Sequence, residues 1–136
     1  MLHKEFTDIW YWKKYVENNY LWVQCVWIVK KYCEMRGFPI KSFWGSAING
    51  WNTGIPFDDK WVRINYKKWL YPKQWDLVFW SEWRCKYWHV AVANKFCNTS
   101  VLRCFDQNGG GKWEGVTPRF YNYSHVLWWF SRLTNK

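Results

Sequence analysis

The sequence predicts an α+β domain in which helices come first and an antiparallel sheet follows. Helical spacing and helix-stop signals occur before residue 37, whereas short runs rich in β-branched and aromatic residues occur after residue 61. Apolar residues make up 49% of the 136-residue chain, which excludes a disordered protein and is enough for a hydrophobic core. We expect residues 1–136 to form a single domain.

The central helix is predicted over residues 22–36. Its apolar residues recur at helical spacing, and Cys25 lies at the predicted N-terminus. Gly37 and Pro39 follow a basic last turn, and both are typical helix-stop residues. The sequence therefore predicts a helix that begins close to a cysteine.

A shorter helix is predicted over residues 5–15, opened around Thr7 and Asp8. Residues 37–60 are rich in Gly, Pro, Asn and Asp and predict irregular structure, with a short helix near Ser46–Asn49.

The second part of the chain predicts strands. Residues 76–80, 89–96 and 100–108 are short runs of β-branched and aromatic residues separated by turn signals. Residues 116–130 predict one or two more. Because the runs are short and closely spaced, the expected sheet is antiparallel.

The charge balance predicts an anionic partner. Twenty basic and ten acidic residues give a net charge of +10, which suits nucleic acid, a membrane surface or an anionic cell-wall polymer. No apolar run reaches the roughly 20 residues that span a bilayer, so we expect no membrane insertion. The start of the chain carries Lys4, Glu5 and Asp8 and lacks the apolar stretch of a signal peptide.

The cysteine pattern argues against a disulfide framework. Five cysteines at irregular spacing form an odd set in a chain without an evident export signal. At least one is therefore a candidate working thiol. We interpret three of them as small core residues, namely Cys33, Cys97 and Cys104.

One cysteine, one histidine and one acid occur in an order that suits nucleophilic catalysis. A helix N-terminus favours the thiolate form of a cysteine, which applies to Cys25. His89 opens a predicted strand, and Asp106 and Asn108 end the next one. A cysteine nucleophile needs an imidazole to accept its proton and a polar group to orient that imidazole. The order alone is weak evidence, because five cysteines and three histidines offer many such combinations.

Five segments, in order, resemble the cysteine- and histidine-dependent amidohydrolase/peptidase (CHAP) family. The family carries a Gln-Cys helix start, an "fWGsA" loop, a "GDivfw" strand, a "GHVAiv" strand and a "[DE]QN" strand end. The resemblance covers residues from about 15 to 133 and implies a papain-like fold. It also implies cleavage of an amide bond in bacterial peptidoglycan, as in endolysins of bacteriophages. The matching segments are VQCV (23–26), SFWGSAINGWN (42–52), YPKQWDLVFW (71–80), HVAVA (89–93) and FDQN (105–108).

The resemblance implies a role for five residues. Cys25 matches the nucleophile, and His89 matches the general base that later protonates the leaving amine. Asp106 matches the acid that orients the histidine, and Asn108 matches a nearby supporting position. Gln24 matches a residue that contributes to the oxyanion hole. Which amide bond is cut stays open between the N-acetylmuramoyl–L-alanine bond and a bond within the peptides.

No cofactor and no metal are expected. Calcium-binding members of the family carry acidic residues around the catalytic cysteine, but this chain has Val16, Asn18 and Trp27 there. Cys85, His89 and Cys97 could also be interpreted as a zinc cluster. Their spacing is loose and no C-x2-C pair is present, so we do not expect zinc. Asp76 is interpreted as a turn residue, and His3 and His125 as histidines without a chemical role.

The expected partner is peptidoglycan. We expect the protein to be a monomer, and we expect no separate wall-binding domain in these residues. Synthesis is expected in the host cytoplasm without a signal peptide, and action on the bacterial wall after holin release or from a virion. Two alternatives stay open. A basic, aromatic-rich chain also suits a nucleic-acid-binding module. Because that function leaves the VQCV, HVAVA and FDQN motifs unexplained, we do not expect nucleic acid as the partner. A catalytically dead wall-binding domain on the same fold is disfavoured by the intact Cys25, His89 and Asp106.

The chain has fifteen Trp and only eight Gly. Trp75, Trp88 and Trp128 stand where the family has Gly, whereas Trp44 and Trp80 match aromatic positions. Gly at turns supplies positive φ or close backbone approach, which Trp adopts only with strain. One hypothesis is that the source genome reads UGA as Gly, and that the gene was translated with a table that reads UGA as Trp. The alternative hypothesis is that the protein comes from a lineage that tolerates aromatic residues in loops. Further Trp in contexts that suit Gly are Trp22, Trp69, Trp83 and Trp113.

Overall fold

Two helices and six strands make up the described part of the chain. The structure, a computed structural model, describes residues 2–14, 25–37, 61–81, 89–107 and 115–132. The elements are α1 (His3–Trp10), α2 (Cys25–Met35), β1 (Trp61–Asn65), β2 (Leu77–Trp80), β3 (His89–Ala93), β4 (Leu102–Asp106), β5 (Thr117–Tyr121) and β6 (Val126–Arg132).

The strands form one antiparallel sheet in the order β1-β6-β2-β3-β4-β5. β2, β3 and β4 lie in the interior of the sheet and are buried except for Arg103, which their largely apolar sequences allow. The helices pack on one face, so the predicted α+β class with helices on an antiparallel sheet is confirmed. The region after residue 116 supplies two strands, β5 and β6.

α2 positions the site because its apolar side chains fill the space over β3 and β4. The helix ends at Met35, and Gly37 has φ +88°, the left-handed conformation of a C-terminal cap. The stop signal was therefore interpreted correctly. The buried residues of α2 are Val26, Trp27, Ile28, Val29, Tyr32 and Cys33.

α1 begins at His3, two residues before the predicted range and four before the predicted start signal at Thr7. Asp8, expected near the start of the helix, instead forms an i,i+4 ion pair with Lys4 inside it. The Glu5 side chain accepts the Leu2 backbone N–H and so supplies the start of the helix. α1 also ends sooner than predicted, at Trp10, and the Trp12 N–H bonds to the Val116 carbonyl. The short helix predicted near residues 46–49 lies outside the described residues.

Two apolar clusters lie on opposite faces of the sheet. The helix-side cluster includes Leu77, Phe79 and Val90, and the other includes Val78 and Ala91. This alternation makes β2 and β3 hydrophobic on both faces. Neither helix of the described chain is long and apolar enough to cross a membrane.

The interpretation of three cysteines as core residues is correct for two of them. Cys33 and Cys104 have no exposed surface. Cys97 is only half-buried, because it lies in the turn between β3 and β4. Its Sγ bridges that turn, with contacts of 3.5 Å to the Asn94 carbonyl and 3.3 Å to the backbone of Arg103.

The turn before β2 contains one of the unusual tryptophans. The Asp76 N–H donates to the Lys73 carbonyl at 3.1 Å, and the Lys73 N–H donates to the Asp76 carboxylate at 3.0 Å. Asp76 is thus a turn residue, as predicted. Trp75 is the third residue of this turn and has φ +86°, while Gln74 does not have positive φ. This combination is a type II turn, whose third position favours Gly.

The other described tryptophans differ in backbone conformation. Trp128 lies within β6 opposite Phe79 and Asn65 and has no positive φ. Trp12, which the sequence did not single out, has φ +70°. Trp22, Trp44, Trp83, Trp88 and Trp113 lie outside the described residues.

Candidate active site

Cys25 is the first residue of α2 as the structure describes that helix. Its neighbours Val26 and Trp27 are buried, so the start of the helix is held against the sheet. The Cys25 thiol is free and partly exposed. A free, partly exposed thiol beside a rigid sheet is available to a substrate.

His89 is the first residue of β3 and is only 4% exposed. Its Nε2–H donates to an Asp106 carboxylate oxygen at 2.8 Å. Trp80, directly opposite on β2, holds the other side of the imidazole with ring centroids 5.3 Å apart. The ring therefore has a fixed orientation, and Nδ1 is the nitrogen left for other partners.

Asp106 is the last residue of β4 and has no exposed surface. Three side chains donate to its carboxylate. Besides the histidine, the Tyr121 hydroxyl donates to Oδ2 at 2.7 Å, and Arg119 Nε donates to Oδ1 at 2.9 Å. Burial by itself would raise the pKa of Asp106, but these hydrogen bonds and the nearby positive charges outweigh burial and lower it. Asp106 is therefore a buried anion with both oxygens paired.

His89 is held in its charged form. Burial alone would lower the pKa of His89, but the Cys25 sulfur and the Asp106 carboxylate, each hydrogen-bonded to it, raise that pKa to about 10. Since Nε2 is bonded to the carboxylate, Nδ1 is the nitrogen that faces the sulfur. The arrangement places the imidazolium between the Cys25 sulfur and the Asp106 carboxylate.

The structure brings together three of the five residues singled out from the sequence. Cys25, His89 and Asp106 form one chain of contacts. Gln24 and Asn108 lie outside the described residues, and their roles stay predictions.

Sequence reasoning missed Arg119 and Tyr121. They alternate along β5, so both point to the same face, and the pairing of Cys104 with Arg119 and of Leu102 with Tyr121 brings them beside the end of β4. The Arg-x-Tyr alternation was visible in the sequence, but the register that aims it at Asp106 was not.

In the described part of the chain, no group of three or more His, Cys, Asp or Glu residues could hold a metal ion. Cys85, the residue needed for the zinc alternative, lies outside that part.

The same fold occurs in solved structures. The endolysin LysIME-EF1, solved as the wild type, superposes with a TM-score of 0.77 at 16% sequence identity, over 94% of this chain and 61% of the other. The fold is one that an endolysin uses. Ly7917 superposes with a TM-score of 0.56, also at 16% identity, over 81% of this chain and 53% of the other.

These likenesses extend over part of each neighbour only. The chain spans about three-fifths of the length of LysIME-EF1 and about half that of Ly7917. No protein-family model matches the sequence, and no curated protein matches it. At 16% identity these comparisons establish the fold of the chain, which is endolysin-like, and the fold alone.

Proposed function

We propose that this protein is a peptidoglycan hydrolase that cleaves an amide bond through a cysteine acyl-enzyme. The observation that carries the proposal is the Cys25–His89–Asp106 contact chain, in which a buried, doubly paired carboxylate fixes an imidazolium beside a partly exposed thiol. The order of these residues along the chain fits the resemblance to the CHAP family.

In the proposed mechanism the Cys25 thiolate attacks the carbonyl carbon of the scissile amide, and the C=O electron pair moves to oxygen. As that intermediate collapses, His89 gives its Nδ1 proton to the leaving amine and the C–N bond breaks, which leaves a thioester. His89 then takes a proton from water, whose oxygen attacks the thioester. Release of the acid restores the thiolate and the imidazolium.

The paired carboxylate has a defined part in this cycle. Because Asp106 accepts the Nε2–H bond in both halves of the reaction, the imidazole presents Nδ1 to the sulfur throughout. The proposed oxyanion hole is the Cys25 backbone N–H with the Gln24 side chain.

The substrate class is inferred from the fold and the charge. LysIME-EF1 is an endolysin, and bacterial walls are anionic, which suits a protein of net charge +10. Both the N-acetylmuramoyl–L-alanine bond and a peptide bond in the stem or cross-bridge remain candidates.

The test is digestion of purified peptidoglycan by the parent and by Cys25→Ser, with the released termini identified by mass spectrometry. We expect the parent to release new amino and carboxyl termini from one type of amide bond, and the variant to release none. Cys97→Ala is the matched control, since it removes a half-buried thiol outside the contact chain. Digestion by Cys25→Ser at the parental rate, with folding confirmed by circular dichroism, would rule out the proposed nucleophile.

A further inference from the structure

A concave site lies at the opposite end of β3 from His89. It is a cavity of about 390 Å³ between α1 and the ends of β3, β4 and β5. We call it the basic groove and define it by four basic and two aromatic residues. They are Lys4, Lys95, Arg103, Arg119, Phe96 and Phe120.

The sheet register builds one wall of the basic groove. The Asn94 N–H donates to the Arg103 carbonyl at 2.8 Å, and Arg103 pairs with Phe120 on the next strand. Residues opposite each other on neighbouring strands point to the same face, so these three side chains form a row. The Arg103 guanidinium lies over the Phe120 ring at 4.7 Å, which presents a charged plane and an aromatic plane together.

The charge of the groove has one sign. Four of its lining residues are basic and none is acidic. Lys4 is paired with Asp8 outside the groove, and Arg119 with Asp106. Within the described chain, Lys95 and Arg103 have no acidic partner, and both are exposed. Two positive charges are therefore available to an anionic ligand.

The two aromatic residues are exposed, whereas most large apolar side chains in the described part of the chain are buried or partly buried. Phe96 is 82% exposed and Phe120 is 70% exposed. Phe96 also has φ +67°, a left-handed conformation that is unfavourable for a residue with a Cβ. A strained, exposed aromatic residue at the tip of a turn makes no evident contribution to folding, and such outliers concentrate at binding sites.

The floor of the groove is rigid and uncharged. His3 is buried between the Tyr32 hydroxyl at 2.9 Å and the Asn94 side chain at 2.6 Å. Burial, reinforced by Arg36 and Lys95, lowers the pKa of His3 to about 4 despite the bond to Asn94. The histidine is thus neutral at physiological pH, and the positive charge of the groove comes from its rim.

We propose that the basic groove binds a phosphodiester-linked polymer of the bacterial wall, with phosphates on Lys95 and Arg103 and sugar or polyol units against Phe96 and Phe120. The choice of a wall polymer rests on the proposed function, whereas the anionic, ring-bearing chemistry rests on the groove itself. Five residues of β3 separate Asn94 from His89, about 16 Å at the rise of a strand. Arg119 lines the groove and also bonds to Asp106. A polymer held on Lys95 and Arg103 would therefore lie at the far end of β3 from His89, with Arg119 between the two sites.

The test measures co-sedimentation of the Cys25→Ser protein, which leaves the walls undigested, with two wall preparations. One retains its phosphodiester polymer, and the other is stripped with hydrofluoric acid. We expect Lys95→Gln with Arg103→Gln to weaken binding to intact walls about 10-fold, equivalent to about 1.4 kcal/mol and in line with two exposed ion contacts. Binding to stripped walls should not change.

Two controls distinguish binding at the basic groove from a general electrostatic attraction between the basic protein and the anionic wall. Lys67→Gln with Lys68→Gln removes the same charge from an exposed turn elsewhere and should alter binding less than twofold. Phe120→Ala should weaken binding several-fold, whereas Trp69→Ala, which removes another exposed aromatic residue, should not.

The proposal is overturned if the groove variant binds intact walls as the parent does, or if the Lys67/Lys68 variant loses as much affinity. Equal binding of the parent to intact and stripped walls would also overturn it. Tighter binding to a single-stranded oligonucleotide, lost in the groove variant, would instead assign the groove to nucleic acid. Hydrolysis of stripped peptidoglycan by the groove variant with Cys25 intact tests the proposed function separately, because neither substitution touches the catalytic contacts.

Discussion

Trp75 offers a direct measurement of backbone strain in this fold. It occupies the third position of a type II turn with φ +86°, and its indole N–H is buried with no hydrogen-bond partner among the residues that the structure describes. A residue with a Cβ pays about 1–2 kcal/mol in the left-handed region, whereas Gly loses about 0.5–1 kcal/mol relative to Ala through chain entropy. Trp75→Gly should therefore be more stable than Trp75→Ala by about 0.5–1 kcal/mol.

Trp69 is the matched control for this comparison. It is also the third residue of a hydrogen-bonded turn, in which the Leu70 N–H donates to the Lys67 carbonyl at 2.9 Å, but its φ is not positive. At Trp69 the order should reverse, with Ala more stable than Gly by about 0.5–1 kcal/mol. Urea unfolding of the four variants gives the two differences directly. If Ala is the more stable substitution at position 75 as well, the strain argument is wrong.

The same variants bear on the origin of the tryptophan. Truncating a fully buried Trp normally costs about 3–5 kcal/mol, and Trp75 is only partly buried. At Trp75, relief of the strain and of the unpaired indole N–H, itself about 1–3 kcal/mol, should bring Trp75→Gly within about 1 kcal/mol of the parent. A UGA codon at Trp75 beside UGG at Trp80 would support recoding from Gly, and UGG at both would exclude it for this residue.

Three further predictions follow from the catalytic contacts. Cys25→Ser should abolish wall lysis with the fold intact, while Cys97→Ala retains activity, as turbidity assays would reveal. Tyr121→Phe removes a hydrogen bond to a buried carboxylate and should lower the free energy of unfolding by about 1.5–3 kcal/mol. Tyr123→Phe removes a bond to a neutral carbonyl and should lower it by about 0.5–1.5 kcal/mol, so equal losses in urea unfolding would contradict the prediction. The folded-state pKa of His89 is about 10 against an ordinary 6.5. Its protonation therefore contributes stability that is complete below pH 6.5 and is lost as the pH rises toward 10. Unfolding free energies that stay level from pH 6 to pH 10, or fall no less steeply in Cys25→Ser, would count against the ion pair.

Local patterns in the sequence predicted the central strands and the catalytic order. β2 and β3 were recognisable because each is a nearly continuous apolar run, and β4 because it is rich in apolar residues around Arg103. Cys25 and His89 were recognisable because each begins an element. These features depend on residues close together in the chain.

The features that were missed depend on contacts between distant residues. β1 was not predicted, because Arg63 and other exposed residues interrupt its pattern and its partner β6 lies more than 60 residues away. Arg119 and Tyr121 reach Asp106 only through the register of β5 on β4. The start of α1 was misplaced because Asp8 pairs with Lys4 rather than capping the helix.

The position of β6 between β1 and β2 has a consequence for biosynthesis. The ribosome makes Cys25, His89 and Asp106 before it makes Val126–Arg132, yet β2, which pairs with the strand that carries His89, lacks one neighbour until then. The nascent chain therefore cannot close its sheet, and the site cannot become rigid, before Arg132 has emerged. A chain interrupted upstream of β6 would carry Cys25, His89 and Asp106 on an incomplete sheet, so the proposed activity should appear only after translation of β6 is complete.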